Sequence, residues 1–406
     1  MDSVGTLELS WCQGYTGSKV CYIGKDVVCY LSGNNVKFVA EDGAETVFNF
    51  TGNGAGVLAI HSINSHFAIG EQSLNPKIFI FVYPTFRQIG TLEGGAQLEF
   101  SNLAFSNSNY FASVSGLPDF ELVLWDYTNA TKLTAIQLNA TPLTSLSFNP
   151  ANWRQIFSVT EKNMTILQTE QCNEKYLLQP KSIKSPPEDP TLAQEEEKER
   201  IPSRASTRMS RYTVDVPKAA IAGLVGEMSD KLEEIQDETV RVIPYSHAWT
   251  PSGDVYVGCL GGQLLKIDGE SFKARVVYFP PPRAETPHSR AVSASSKHPS
   301  MVDMSTIVED VGTLLLEGSL NCIALHRQGL YAVGQEGVLR LIDLKGDECR
   351  VVEQCTIGVP VMSMDFSPCY KRLIMASDRG MLHLYEAGFA DSLRLLKDTH
   401  YGNFVG

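Results

Sequence analysis

Leu143-Thr144-Ser145-Leu146-Ser147-Phe148-Asn149-Pro150, then Ile156-Phe157-Ser158-Val159, then Asn163-Met164-Thr165-Ile166-Leu167, forms three short apolar runs separated by turn residues. Alternation at period two, in runs this short and bounded by Asn and Pro, marks β-strands. The same grammar returns as Val361-Met362-Ser363-Met364-Asp365-Phe366-Ser367-Pro368, Leu373-Ile374-Met375-Ala376-Ser377 and Met381-Leu382-His383-Leu384-Tyr385. A third copy, built on Leu103-Ala104-Phe105-Ser106 and Tyr110-Phe111-Ala112-Ser113, ends in Glu121-Leu122-Val123-Leu124-Trp125-Asp126. Its closing Trp-Asp pair is the dipeptide that names the WD repeat.

Four weaker copies run from Val20 to Val39, Val57 to Tyr83, Ser246 to Asp268 and Leu320 to Asp343. With Phe38, Phe81, Trp125, Leu167, Ile267, Ile342 and Tyr385 marking the third strands, four of the six spacings fall in the WD range of about 40–45 residues. The other two carry insertions. The expected fold is all-β: a WD40-type β-propeller of about seven four-stranded blades over residues 5–390, with two long loop insertions and a tail at 391–406.

A blade cannot bury both of its faces alone, so stacking and ring closure must do it. Thr6-Leu7-Glu8-Leu9-Ser10-Trp11 alternates apolar with polar and is the expected outer strand of the seventh blade, closing the ring. The tail run Ser392-Leu393-Arg394-Leu395-Leu396 competes for the same position.

Between blades four and five, residues 173–244 form a charged insertion with Pro186-Pro187, the acidic run Glu195-Glu196-Glu197, and a basic, Ser-rich stretch from Ile201 to Arg211. Low hydrophobicity and dense mixed charge predict a flexible loop. Ala220, Ile221, Leu224, Val225, Met228 and Leu232 nevertheless recur at helical spacing, so it is expected to be partly helical. The second insertion, 270–319 between blades five and six, is Pro- and Ser-rich and predicted to be largely disordered. Arg204, Arg208 and Arg211 are candidate partner-binding residues. Ser203, Ser206 and Ser210 beside them are candidate phosphosites, where a phosphate would turn a positive patch negative.

Composition narrows the function. Charged residues make up 20% of the chain, net charge is −12, and no stretch outside the insertions concentrates Lys and Arg, which argues against a nucleic-acid partner. No signal peptide or run of about 18 apolar residues is present, so a soluble, cytoplasmic chain without membrane contact is expected. None of the nine cysteines forms a C-x-x-C pair, which predicts reduced thiols rather than a zinc site or disulfide framework.

No catalytic residue, no cofactor site and no metal site is expected, and the chain is expected not to be an enzyme. Gly52-Asn53-Gly54-Ala55-Gly56 resembles part of a dinucleotide fingerprint but leads into a strand, so it predicts a connection between blades. His61, His247 and His326 occupy equivalent first-strand positions, either lining the central channel or making contacts between blades. Trp153 beside Arg154, and Trp249, have the content of binding hot spots and equally of blade plugs.

Four stretches are more specific than the fold: Gly116 to Trp125, Phe148 to Gln155, Ala220 to Gly226, and Ala248 to Cys259. In this order they resemble the N-terminal WD-repeat propeller of the cilia- and flagella-associated protein 43 family, over roughly residues 8–390. The resemblance implies a scaffold in the axoneme of motile cilia and sperm flagella, part of the cytoskeleton. There, such proteins help tether the motor heads of an inner-arm dynein to the doublet microtubule. The implied partners are cilia- and flagella-associated protein 44, inner-arm dynein and doublet tubulin. The family pattern continues into a second propeller and a coiled coil, so a chain ending at Gly406 is expected to be a fragment or short form, or to dock without those parts. The alternative is a cytosolic WD-repeat adaptor for trafficking or ubiquitin ligase assembly.

Overall fold

A computed structural model describes residues 19–138, 141–173, 175–188, 240–280, 318–346, 349–378 and 380–386, with 394–400 as backbone. Its strands form seven sheets, each of four antiparallel strands joined in simple sequential order. The blades span 21–49, 55–92, 100–137, 143–183, 244–278, 322–356 and 361–400. The chain is thus an all-β, seven-bladed propeller, as the repeat predicts.

Burial explains the strand chemistry. The second strands, such as Tyr110–Ser115 and Arg372–Ser377, are packed on both faces between neighbouring blades and are almost wholly buried. Fourth strands such as Arg350–Thr356 lie at the rim and are largely exposed. The apolar clusters join consecutive blades rather than filling single ones. Phe38 and Phe67 meet between blades one and two, Ile80 and Trp125 between two and three, and Val114 and Ile156 between three and four. Leu264 and Leu330 join five to six, and Tyr331 and Phe366 join six to seven.

Three boundaries differ from expectation; in blade four the reason is that the fourth strand carries Lys175, Gln179 and Lys181 on its exposed face. Lys175–Ile183 completes blade four and Ala274–Tyr278 completes blade five. Both fall inside the expected insertions 173–244 and 270–319. The outer position of blade seven, expected for residues 6–11, is held by Arg394–His400, which pairs along Met381–Glu386. Arg394–His400 follows Met381–Glu386 directly in sequence and reaches this position as the second strand of a hairpin. The tail strand is therefore part of the propeller. Residues 6–11, the helical spacing at 217–232, and the Ser/Arg stretch 201–211 lie outside the described residues.

Among the described residues, the ring closes between blades seven and one without exchanging a strand. Val20, Tyr22, Val28 and Tyr30 pack against Ile374, Ala376 and Leu382. The N–H of Val20 donates to Ser363 Oγ at 3.0 Å and that of Tyr22 to Asp365 Oδ2 at 2.8 Å. Arg372 reaches Glu41 across the same joint at 3.4 Å.

Burial pushes the Asp365 carboxyl up to about 6 from an ordinary 3.8. Between these values the folded chain holds a proton that the unfolded chain has released, so this group's stabilising contribution is complete below about pH 4 and lost as pH rises through 6. Asp365→Asn keeps an acceptor for Tyr22 and cannot ionise. Urea unfolding is expected to show it more stable than the parent at pH 7.5, by up to about 3 kcal/mol, with the difference vanishing near pH 4. A difference that does not vary with pH would reject this account.

Candidate functional site

The Asn149–Gln155 turn is shaped by its own side chains. Asn149 Oδ1 accepts the N–H of Ala151 at 2.9 Å and Asn152 Oδ1 that of Arg154 at 3.2 Å, which closes two successive Asx turns. The turn sets Trp153 flat against Tyr110 of blade three, with ring centroids 3.6 Å apart and planes at 17°. Tyr176 meets the same indole edge-on at 6.4 Å, and the Arg154 guanidinium lies 5.7 Å from its centroid. Trp153 is half-buried and Arg154 exposed. Leu177, 51% exposed, follows Tyr176 on the rim strand. Trp153 thus plugs the joint between blades three and four while leaving a cationic, aromatic edge open to solvent.

Trp249 is held more tightly. Its Nε1–H donates to Ser147 Oγ at 2.9 Å, and its ring stands edge-on to Phe157 at 6.2 Å. His247 also bonds Ser147 Oγ. The joint between blades four and five is therefore built from directional contacts, and Trp249 acts as a buttress. The candidate residues Ser203, Arg204, Ser206, Arg208, Ser210 and Arg211 fall outside the described residues.

The three first-strand histidines all make contacts between blades. The His61 ring lies 5.5 Å from Phe105 of blade three. His326 Nε2–H donates to the Tyr370 carbonyl of blade seven at 3.0 Å, with its ring 4.9 Å from Phe366. Burial lowers all three, His247 to about 3, so they are neutral at physiological pH. Among the described residues, no group of three or more His, Cys, Asp or Glu is placed to hold a metal ion. Eight cysteines in these residues are free thiols.

The glycine run at 52–56 is the linker from blade one to blade two. Gly54, at φ +105°, turns the chain into a conformation that other residues rarely adopt. The buried Glu71 carboxylate fixes the turn, accepting the N–H groups of Asn53 at 2.8 Å and Lys77 at 2.9 Å. In blade three the Trp-Asp pair is structural. Trp125 Nε1–H donates to buried Ser113 at 2.8 Å, and Asp126 caps the turn through Thr128 and Asn129.

The first strands of blades two to seven, together with Lys19, line a central channel of about 550 Å³. Its walls carry mainly serines, asparagines and short apolar side chains. Asn321 on this wall is only 7% exposed, and its Oδ1 has no hydrogen-bond partner. Neither Lys19 nor Asn321 stands out in the sequence. The residues around the channel come from positions 19 to 364, and only ring closure brings them together.

No protein-family model matches the chain. Solved structures give the fold. The β-propeller domain of Myceliophthora thermophila Cps50 (Swd1) aligns at a TM-score of 0.54 and 13% identity, covering 86% of each chain. A chain of the mitotic checkpoint complex aligns at 0.56 and 11%, over 95% of this chain and 97% of that one. Among curated proteins, cilia- and flagella-associated protein 43 of Mus musculus is 29% identical over 98% of the chain. Cilia- and flagella-associated protein 44 of the same species is 24% identical over 33% of the chain and 7% of its own length. The chain spans 22% of the length of cilia- and flagella-associated protein 43 in both Mus musculus and Xenopus laevis. At 33% identity to the Xenopus laevis protein over 93% of its own length, this seven-bladed WD-type propeller is a homologue of cilia- and flagella-associated protein 43.

Proposed function

We propose that this chain is a non-catalytic docking module of the motile cilium or flagellum, held in the axoneme. There it serves as part of the tether between inner-arm dynein motor heads and the doublet microtubule. The observation that carries the reading is the homology to cilia- and flagella-associated protein 43 across 93% of the chain. The shorter match to cilia- and flagella-associated protein 44 supports a related WD-repeat protein as its partner, with inner-arm dynein and doublet tubulin as the surfaces it bridges. The propeller suits the task mechanically, because blades packed on both faces hold their exposed loops in fixed relation.

The edge formed by Trp153, Arg154, Tyr110 and Tyr176 is the proposed partner surface. A large aromatic ring and a guanidinium supply most of the binding energy at protein interfaces, chiefly where water is excluded around them. Trp249 lies at the next joint, between blades four and five.

Expression of the tagged chain in cells with motile cilia tests the assignment. The protein is expected to remain with axonemes after detergent extraction. A chain that stays diffuse in the cytosol and is washed out would reject the axonemal role.

Two substitutions separate packing from recognition at the edge. Trp153→Ala is expected to destabilise the fold by about 2 kcal/mol in chemical denaturation, below the value for a fully buried tryptophan because one edge is already in water. Arg154→Glu is expected to shift stability by no more than about 0.5 kcal/mol while weakening axonemal retention. Full retention of stable Arg154→Glu would remove this edge from the interface.

A further inference from the structure

We propose that the end of the ring opposite the Trp153 turn carries a second docking surface, where Leu74, Leu98 and Leu117 receive the apolar side chains of a basic protein segment. None of these leucines belongs to the docking edge at Trp153.

Successive connections of an antiparallel blade lie at alternate ends of its strands. Trp153 stands between a first and a second strand, Leu143–Phe148 and Gln155–Thr160. Leu74 stands between a second and a third strand, His66–Glu71 and Ile78–Val82, and so does Leu117, between Tyr110–Ser115 and Glu121–Asp126. Leu98 lies where the fourth strand of blade two, Arg87–Leu92, passes to the first of blade three, Phe100–Phe105. All three leucines therefore share the end away from Trp153.

Backbone hydrogen bonds draw their loops together. The Asn75 N–H donates to the Gln97 carbonyl at 2.7 Å, and the Gly116 N–H to the Glu99 carbonyl at 3.0 Å. Each bond lies one residue from a leucine on either side, which sets Leu98 between Leu74 and Leu117. Asp119 Oδ2 accepts the Gln97 N–H at 2.7 Å, and Gly95 packs so closely that a Cβ there would fall 2.9 Å from the Trp125 indole. Loops held in this way lose little freedom when a partner binds. Leu74, Leu98 and Leu117 are nevertheless 76%, 48% and 64% exposed. A single exposed leucine is ordinary, whereas three on bonded neighbouring loops form the kind of apolar patch that marks an interaction surface.

Charge selects the occupant. Loops 72–77, 93–99 and 116–120 carry Lys77, Glu93, Glu99 and Asp119, and Lys77 pairs with Glu93 at 2.8 Å. Among the described residues, Glu99 and Asp119 form no ion pair. Their partners are neutral: Gln72 Nε2–H on Glu99 at 3.0 Å, and the Gln97 N–H on Asp119. Two uncompensated carboxylates thus flank the leucines. They repel an anionic lipid surface or a phosphate backbone. A second copy of the chain docked by the same patch would set carboxylates against carboxylates. A segment with Lys or Arg on either side of apolar residues covers the leucines and pairs both acids.

Fluorescence anisotropy with the full chain tests the proposal, using a labelled peptide of about fourteen residues with Leu and Lys at helical spacing. The controls replace every Lys by Glu or every Leu by Ser. The parent peptide is expected to bind at least about tenfold more tightly than either control. Leu74→Ser and Leu117→Ser are each expected to weaken it several-fold, and both together at least about tenfold, with an unchanged thermal transition because these side chains stand mainly in water. Glu99→Gln combined with Asp119→Asn is expected to weaken it about threefold at low salt and not at about 0.5 M salt. Equal binding by the doubly substituted leucine chain and the parent chain, or of the Glu-containing and Lys-containing peptides, overturns the surface. Flotation with phosphatidylcholine vesicles that the double leucine substitution abolishes overturns the protein segment in favour of lipid. A dimer in sedimentation that the same substitution dissociates overturns it in favour of a second copy. Axonemal retention is read independently, so loss of this surface leaves the docking assignment to its own measurement.

Discussion

The joint between blades seven and one is the constraint on which the other joints depend. Each blade presents two apolar faces, and a row of seven leaves two faces bare unless the ends meet. Seven buried side chains fill this joint, from Val20, Tyr22, Val28 and Tyr30 on one side to Ile374, Ala376 and Leu382 on the other. At about 1.5–3 kcal/mol for each large apolar group, their exposure would cost on the order of 10 kcal/mol, comparable with the whole stability of an ordinary domain. Opening the ring there and unfolding it are therefore nearly the same event. The hydrogen bonds from Val20 and Tyr22 add little to that sum, but they fix how far the first strand slides along the last blade. Register here sets where Lys19 arrives.

The joints differ in kind, and the difference bears on recognition. Between blades two and three, Ala59, Ile80, Phe111 and Trp125 form an apolar cluster, with the Tyr127 hydroxyl 3.4 Å from His66 Nδ1 beside it. Between blades four and five, Ser147 receives Trp249 and contacts His247, while Phe157 meets both rings edge-on. Such contacts weaken steeply with angle, so this joint holds its geometry narrowly. His247 and Ser147 also line the channel, which couples the shape of the channel wall to this joint.

Legibility in the sequence followed burial. Strands such as Gln155–Thr160 and Met381–Glu386 read clearly because neighbouring blades demand apolar residues on them. The rim strand Lys175–Ile183 answers mainly to water, so Lys175, Gln179 and Lys181 disguise it as the start of an insertion. The closing strand was ambiguous because residues 6–11 and 392–396 both alternate, and a local pattern does not record which of two alternating runs pairs with Met381–Glu386. Trp153 and Arg154 were visible as a dipeptide, although the stacking partner Tyr110 lies in another blade. The channel was illegible in principle. Lys19 and Asn321 are ordinary residues until seven repeats bend them onto one axis.

The edge at Trp153, stacked on Tyr110 between blades three and four, is where the frame carries aromatic area into water. The Trp153 edge gains from removing aromatic area from water, an effect that salt hardly alters, and it suits a contact meant to persist. This edge depends on the ring, yet it lies away from the joint between blades seven and one that closes it.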